Sequence, residues 1–416
     1  MDKTHKDKLD RVFSEYIRKR DTKDGYFICI SCGRRLPYGQ ADCGHYINRR
    51  HLATRWDEEN CNAQCRKCIT PENRVLMEDL TWKEIGKIGV GEKIVGFEEY
   101  GERKTSRRYK IGVVTRSERF ITDVYKVTFE NGESIKCTAN HKWLARRGST
   151  TSFVWIETKD LWVDSYNLKG NHITGACKGH VFSVVCKPFR VVEQDMSADA
   201  GWIAGMIDAD GHLTQQIARD KRHPKRITYG LRCGISQGDG IIAERVDELL
   251  QRFSDKRVTC RADIPKEILN NKRGKKYVSK VTVRTYLITG TNVEKLEFLQ
   301  RIRPLKLNKL DINKIGKVRS QYDTKVVSIE YVGKEVVVDL ETDCHTYIAE
   351  GYAMHNCNRF DEGNIQGYRR GLVRKIGEQH VILLESRKYR PTSFSNFEAD
   401  VLIAEYQRLI KELNCK

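Results

Sequence analysis

No stretch of this 416-residue chain is apolar for long enough to cross a bilayer, which takes about 20 residues. The opening MDKTHKDKLDRVFSEYIRKRD also lacks the apolar core of a secretory leader, so a cytoplasmic protein without membrane contact is expected. There are no tandem repeats and no low-complexity tracts, which excludes a repeat array and a compositionally disordered chain. The 14 cysteines do not form the pattern of a secreted disulfide scaffold. They are spread over a long chain, and two pairs, Cys29/Cys32 and Cys65/Cys68, stand at Cys-x-x-Cys spacing, which belongs to metal binding in a reducing compartment. Acidic residues are in deficit, 56 against 75 Lys and Arg, and the net charge of +19 favours a polyanionic partner.

The length exceeds one compact core and predicts two or three domains. Leu9, Val12, Phe13, Tyr16 and Ile17 recur at helical spacing near the start. Near the end, Ser395 and Glu398 have the spacing of a capping box ahead of a helix with Leu402, Tyr406, Leu409 and Leu413 on one side. Residues 69–165 read as short strands with turns such as VGEK and ENGES, and strands return after about residue 320. Between these, residues 196–315 alternate helix and strand patterns.

Chemistry concentrates at the two ends of the middle segment. HTYIAEGYAMHNC ends in His355-Asn356-Cys357, a side-chain amide that can cyclise onto its own backbone placed directly before a thiol. Cys68, in QCRKCITPENRVLM, supplies a second thiol, a good acyl acceptor because part of it is ionised near neutral pH. Between them lie Thr138 and His141 in CTANHKWL, then Asp339 and His345. The set closely resembles an intein, a self-excising segment. The resemblance implies a mainly β Hint splicing domain in two parts, 68–165 and 320–356, that needs no cofactor. By it, Cys68 attacks the Lys67 carbonyl, Thr138 and His141 assist, and Asp339 stands near the thiol. Cys357 then takes the acyl group, and Asn356 cyclises with help from His355 and His345 as acid-base groups. A hedgehog-type domain also begins with cysteine and uses Thr-x-x-His, but the 60 residues after Asn356 argue against it.

Removing 68–356 joins residues 1–67 to 357–416. The joined flanks carry 26 basic and 18 acidic residues, and the removed segment is basic too. Joining gives the run QCRKCNRFDEGN and completes a second Cys-x-x-Cys with Cys65 and Cys357. With Cys29 and Cys32 this is the donor set of a structural zinc site, and Cys43 and Cys61 read as bystanders. CISCG, DCGHY, Asn60 and the joined QCRKCN resemble the HNH (treble-clef, ββα-metal) signature and, more closely, the NinG (Rap) family of phage recombination nucleases, which act on branched DNA. The resemblance implies a small α+β zinc-containing fold with His45 as general base, Asn60 holding the base or its loop, and Asp42 and Asn358 as ligands of a catalytic divalent metal. Two departures stand out: the usual Asp-His pair is split as Asp42-Cys43-Gly44-His45, and Phe360 stands where some members carry a second histidine.

IAGMIDADG, residues 203–211, nearly matches the LAGLIDADG signature of homing endonucleases. That resemblance implies an α+β module over 196–315 with small residues Ala204 and Gly205 at a helix contact. Asp210 and, more weakly, Asp208 would hold magnesium against a double-stranded target. Basic loops with Arg219, Lys221, Arg222, Lys272, Arg273, Lys275 and Lys276 suit phosphate contacts. One motif is present where most intein-borne enzymes carry two, so activity would require a homodimer. The competing expectation is a zinc-dependent DNA-binding module without nuclease activity that hosts an intein with a decayed endonuclease.

Overall fold

The computed structural model describes residues 1–414 other than 32, 34, 50, 66–67, 102–106, 149, 151, 165, 169–181, 220–226, 264–266, 271–274, 279–280 and 357–364. For residues 40, 65, 267–270, 275–278 and 365–366 it describes the backbone alone. The chain is a mixed α/β molecule of several bodies, nested one inside another along the sequence.

The outermost body is made from both ends of the chain. Helix Lys3–Arg20 begins at Asp2, whose carboxylate accepts from the His5 backbone N–H at 2.9 Å. Its apolar stripe of Leu9, Val12, Phe13, Tyr16 and Ile17 packs on Ala399, Ile403, Tyr406 and Ile410 of helix Asn396–Asn414. The capping box forms: Glu398 N–H donates to Ser395 Oγ at 3.1 Å, and the Ser395 N–H donates to the Glu398 carboxylate at 2.7 Å. The buried line of this helix runs through 399, 403, 406 and 410. Leu402, Leu409 and Leu413 flank it half-buried, because the first helix packs over the face that carries 399, 403, 406 and 410. Helix Ile365–Ile376 closes on the same body. Gly371 lies so near the Ile30 carbonyl that a Cβ would come within 2.0 Å of it, and the Tyr368 hydroxyl donates to the Gly44 carbonyl at 2.9 Å. Between these helices lies the hairpin of Ala41–His45 and Cys61–Cys65, in register His45 to Cys61.

The next body is an 11-stranded sheet. Its spine is two long antiparallel strands, Tyr109–Phe129 and Thr324–Thr342, with register shifts at 326/328, 331/333 and 341/342. Such bulges bend and twist a ladder, and here they let it curl around a core of Val75, Ile94, Val127, Phe129, Trp143, Tyr347, Tyr352 and neighbours. Strands from both sides of the central segment interleave: Trp143 pairs with Met354, and Val75 with Ala349.

The innermost body has a four-stranded antiparallel sheet in the order Gly211–Arg219, Ile227–Gly238, Val283–Ile288, Val258–Asp263. Helices Ala198–Ala209, Ile241–Phe253 and Asn292–Ile302 cover it. Its core of Ile203, Ile207, Ile235, Leu249, Tyr286 and Leu299 continues into Leu80, Phe97, Tyr109 and Phe189 of the curled sheet. None of the described helices is long and apolar enough to cross a membrane.

Candidate active site

Cys68 is fully buried and packs with Val124 and Val337. Its backbone is held on both sides by one residue. The Cys68 N–H donates to Thr138 Oγ1 at 3.0 Å, and the Thr138 N–H donates to the Cys68 carbonyl at 2.9 Å. The hydroxyl of Thr138 is therefore against the nitrogen that an acyl shift at Cys68 would release. His141, also fully buried, follows one turn later, its N–H donating to the Thr138 carbonyl at 3.0 Å and its ring meeting Trp143 edge-on at 5.2 Å. Ile69 bridges Val338, and this antiparallel register sets Asp339 opposite Cys68. Asp339 is 1% exposed.

The other end of the segment is built with equal closeness. His355 ends the strand Tyr352–His355, Asn356 follows it, and both are buried. His355 Nδ1 lies 2.9 Å from the Asn356 carbonyl oxygen, and Nε2 lies 2.6 Å from Glu99 Oε1. Both ring nitrogens face acceptors, so the protonated imidazolium satisfies both contacts, one of them on the carbonyl that cyclisation would attack. Burial holds the His355 pKa below its ordinary value, with the Glu99 hydrogen bond working against that shift. Burial, the largest single influence, pushes Glu99 up, but the hydrogen bond and charge of His355, with His345 and Tyr100, together outweigh it and Glu99 ends below its ordinary value. Thr342 grips both polar atoms of the Asn356 side chain. Its hydroxyl donates to Oδ1 at 3.1 Å, and its carbonyl accepts from Nδ2 at 2.8 Å. His345, in the left-handed region at φ 64°, accepts the Asn356 N–H on its carbonyl at 2.9 Å.

Sequence reasoning missed Glu99 and Thr342. Glu99 has no signal, because only the tertiary fold brings the turn after Lys93–Phe97 to His355. Thr342 stands three residues after Asp339, and only the fold turns it toward Asn356. Cys357, like Lys67, lies outside the described residues.

In the outer body the setting aside of Cys43 and Cys61 is corrected. Their sulfurs and a ring nitrogen of His45 all lie within 4.8 Å of one another, all three residues buried. The reason is strand geometry: residues 43 and 45 share a face, and Cys61 pairs directly with His45. Two thiols and an imidazole fit a zinc-type donor set, with His45 Nε2 at 3.0 Å from the Arg55 carbonyl as an outer contact. Burial first, then Cys43, pushes the Cys61 thiol well above its ordinary pKa, so both thiols would have to shed protons to take a metal. This enclosure places His45 among sulfurs and carbonyl oxygens, a poor posture for a base acting on bound DNA. Asn60 is fully buried, donates to the Ile47 and Thr54 carbonyls at 3.0 and 2.8 Å, and accepts from the Ile47 N–H at 2.6 Å, fixing the loop after His45. Asp42 is engaged with Arg116 at 3.6 Å. Of the proposed tetrad, the side chain of Cys29 is described and buried. Cys32, Cys357 and the Cys65 side chain lie outside the described residues, as does Asn358. A cavity of about 450 Å³ opens on this body, lined by Lys23, Tyr26, Cys29, Arg35, Arg374 and Lys375 among others.

In the innermost body, helix Ala198–Ala209 buries Ala200, Ile203, Ala204 and Ile207. Ala204 thus serves its own core, while Gly201 and Gly205 face outward with open space where a Cβ would project. Both carboxylate oxygens of Asp208 accept backbone N–H groups, from Leu305 at 2.7 Å and Lys306 at 2.8 Å. Asp210 is exposed at the helix end and accepts from Gln237 at 3.0 Å. Arg219 is exposed at the end of its strand. Lys221, Arg222, Lys272 and Arg273, and the side chains of Lys275 and Lys276, lie outside the described residues.

The comparisons also find a break in the chain, over residues 119–343, inside the segment 68–356 rather than at its ends. The family model of the Bacteriophage Lambda NinG protein matches residues 1–118 and 344–415. An insert splits the match in two. No curated protein matches the chain. Among solved structures, the Ssp DnaB mini-intein variant M86 aligns at 12% identity and TM-score 0.29, over 71% of this chain and 97% of its own. A DnaB intein from Synechocystis sp. PCC 6803 aligns at 12% and 0.27, over 70% and 98%, and the gp41-1 intein at 11% and 0.24, over 70% and 98%. At scores this low, the chemistry has to be argued from the residues themselves.

Proposed function

We propose that the chain is a self-splicing precursor that excises residues 68–356 and joins Lys67 to Cys357. One observation carries the reading: each end of the insert is buried against groups suited to its own reaction. The Cys68 N–H is on Thr138 Oγ1, and the Asn356 carbonyl oxygen is on His355 Nδ1. In the first step the Cys68 sulfur attacks the Lys67 carbonyl, forming a thioester and freeing the Cys68 nitrogen, which takes a proton. Thr138 orients that nitrogen. The Cys357 sulfur then attacks the thioester carbonyl and displaces the Cys68 thiol, moving the N-terminal flank onto Cys357. Asn356 Nδ2 next attacks the Asn356 carbonyl carbon, closing a succinimide and releasing the Cys357 amine. His355 hydrogen-bonds the oxygen on which charge develops. That amine finally takes the acyl group from the Cys357 sulfur, restoring a peptide bond. Intact-mass analysis tests the reading. The parent should yield a joined product of about 15 kDa and an insert of about 34 kDa, scaled by residue number from 48.2 kDa, and a Cys68→Ala, Asn356→Ala variant should stay whole. A parent that stays whole under reducing, zinc-free conditions refutes it.

For the joined product we propose action on DNA as a NinG-like nuclease, supported by the split family match and the basic cavity rim of Lys23, Arg35 and Arg374. Zinc on its cysteines would supply a fixed cross-link for a small fold. The enclosure of His45 with Cys43 and Cys61 favours a second reading, DNA binding without hydrolysis. Magnesium-dependent cleavage of branched DNA that His45→Ala abolishes at unchanged zinc content separates the two. For the inner module we propose a homing endonuclease in which a second copy covers the outward Gly201 and Gly205 and brings two Asp210 carboxylates together at magnesium.

A further inference from the structure

Arg116 lies on the long strand Tyr109–Phe129, and its side chain is 11% exposed. One nitrogen, Nη1, is 3.3 Å from Asp339 Oδ2, 3.6 Å from Asp42 Oδ2 and 3.9 Å from Glu341 Oε1, while Nη2 pairs with Glu118. Glu118 and Glu341 are its neighbours on the two paired strands, with Glu341 directly across from Arg116 and Asp339 across from Glu118. Asp42 is different. It belongs to the hairpin Ala41–His45 of the outer body, the part of the molecule that remains after excision. Four carboxylates, three of them within 16% exposure, therefore share one guanidinium. The guanidinium offsets the repulsion of like charges crowded into a dry site. Asp339 in turn stands opposite Cys68, so the guanidinium sits one residue away from the first nucleophile, and a carboxylate of the flanking protein holds it there.

Resting on the splicing reading, we propose that Arg116 is a positioning residue for the acyl shift at Cys68, and that Asp42 of the flanking protein completes its seat. The insert thereby registers whether the hairpin that precedes it has folded. Arg116 holds the Asp339 carboxylate in place beside Cys68, and Asp42 holds the same guanidinium nitrogen. Before the hairpin Ala41–His45 forms, the guanidinium has one fewer anchor and the first step is slow. The site of Asn356 cyclisation, built from Glu99, Thr342 and His355, has no share in this contact and is indifferent to it.

The test uses the full chain in two backgrounds. With Asn356→Ala and Cys357→Ala, dithiothreitol releases the N-terminal flank only through the Cys68 thioester, and this reports the first step. With Cys68→Ala, release of the C-terminal flank reports cyclisation. Arg116→Met should slow the first by about tenfold or more, the scale of a small misplacement of a reacting group. Arg116→Lys should recover part of that loss, and Asp42→Asn should slow the first step by about threefold. All three should leave cyclisation within about twofold. An unchanged first step in Arg116→Met, a parallel loss of both cleavages, or Asp42→Asn at the parent rate overturns the proposal. A parent chain that cleaves in neither background overturns the splicing reading instead.

Discussion

Replacing Glu99 with glutamine keeps the shape of the site and removes a carboxylate that faces the His355 ring, 2.6 Å from Nε2. The imidazole is fully buried, and burial already holds its pKa below 6.5. Removing the opposing charge lowers it further. An opposite charge at such range is worth about 1–3 pKa units, and above the midpoint each unit costs about tenfold in the protonated fraction. If imidazolium is the form that polarises the Asn356 carbonyl, Glu99→Gln should slow cyclisation by about tenfold or more at neutral pH. The sign follows from the direction of the shift. In the parent, cleavage should accelerate as pH falls below 6.5 and level off below the lowered folded value. In the variant the same rise should come at lower pH. The assay is release of the C-terminal flank from a Cys68→Ala chain, followed by mass between about pH 5 and 8. An identical pH profile in parent and variant would refute the reasoning, as would a parent rate that falls on acidification.

Other outcomes follow from neighbouring contacts. Thr138→Val removes the acceptor of the Cys68 N–H and should slow thiol-induced N-terminal cleavage by about tenfold, the worth of one hydrogen bond, with no effect on cyclisation. Leu9→Ala empties a fully buried position between the first and last helices and should cost about 2–5 kcal/mol in the outer body, read as a lower melting temperature of the splicing-blocked chain. Asp208→Ala strips the acceptors from two backbone N–H groups and should cost about 1–3 kcal/mol. Asp210→Ala should leave stability unchanged and abolish any magnesium-dependent cleavage of double-stranded DNA. Because Cys68 is packed between Val124 and Val337, a zinc chelator should not change the rate of the first step, and acceleration would mean that the metal withholds this thiol.

Features written in local spacing were legible before any fold was known. Ser395 and Glu398 form their capping box, and the five apolar positions of the first helix are all buried. The one-residue rotation of the last helix, from Leu402 to Ile403 at its centre, depends on which side its partner approaches, which no single helix records. Glu99 and Arg116 were invisible for the same reason. Each becomes chemically placed when segments more than 200 residues apart in sequence meet in the fold. The Cys43-His45-Cys61 cluster was half legible, since alternation along a strand already put 43 and 45 on one face. Only the hairpin register added Cys61.

The packing of the first helix on the last has a consequence for what happens when the chemistry fails. Met1 donates to the Phe394 carbonyl at 2.7 Å, and Leu9 through Ile17 are covered by residues 399–410 while the insert is still in place. The two flanks are thus each other's subunit before they are one chain. A molecule that suffered both cleavages without ligation would not fall into two fragments. It would persist as a nicked protein whose halves travel together through native chromatography and separate only in denaturant. The new peptide bond would then act chiefly as insurance for an assembly already made by its core.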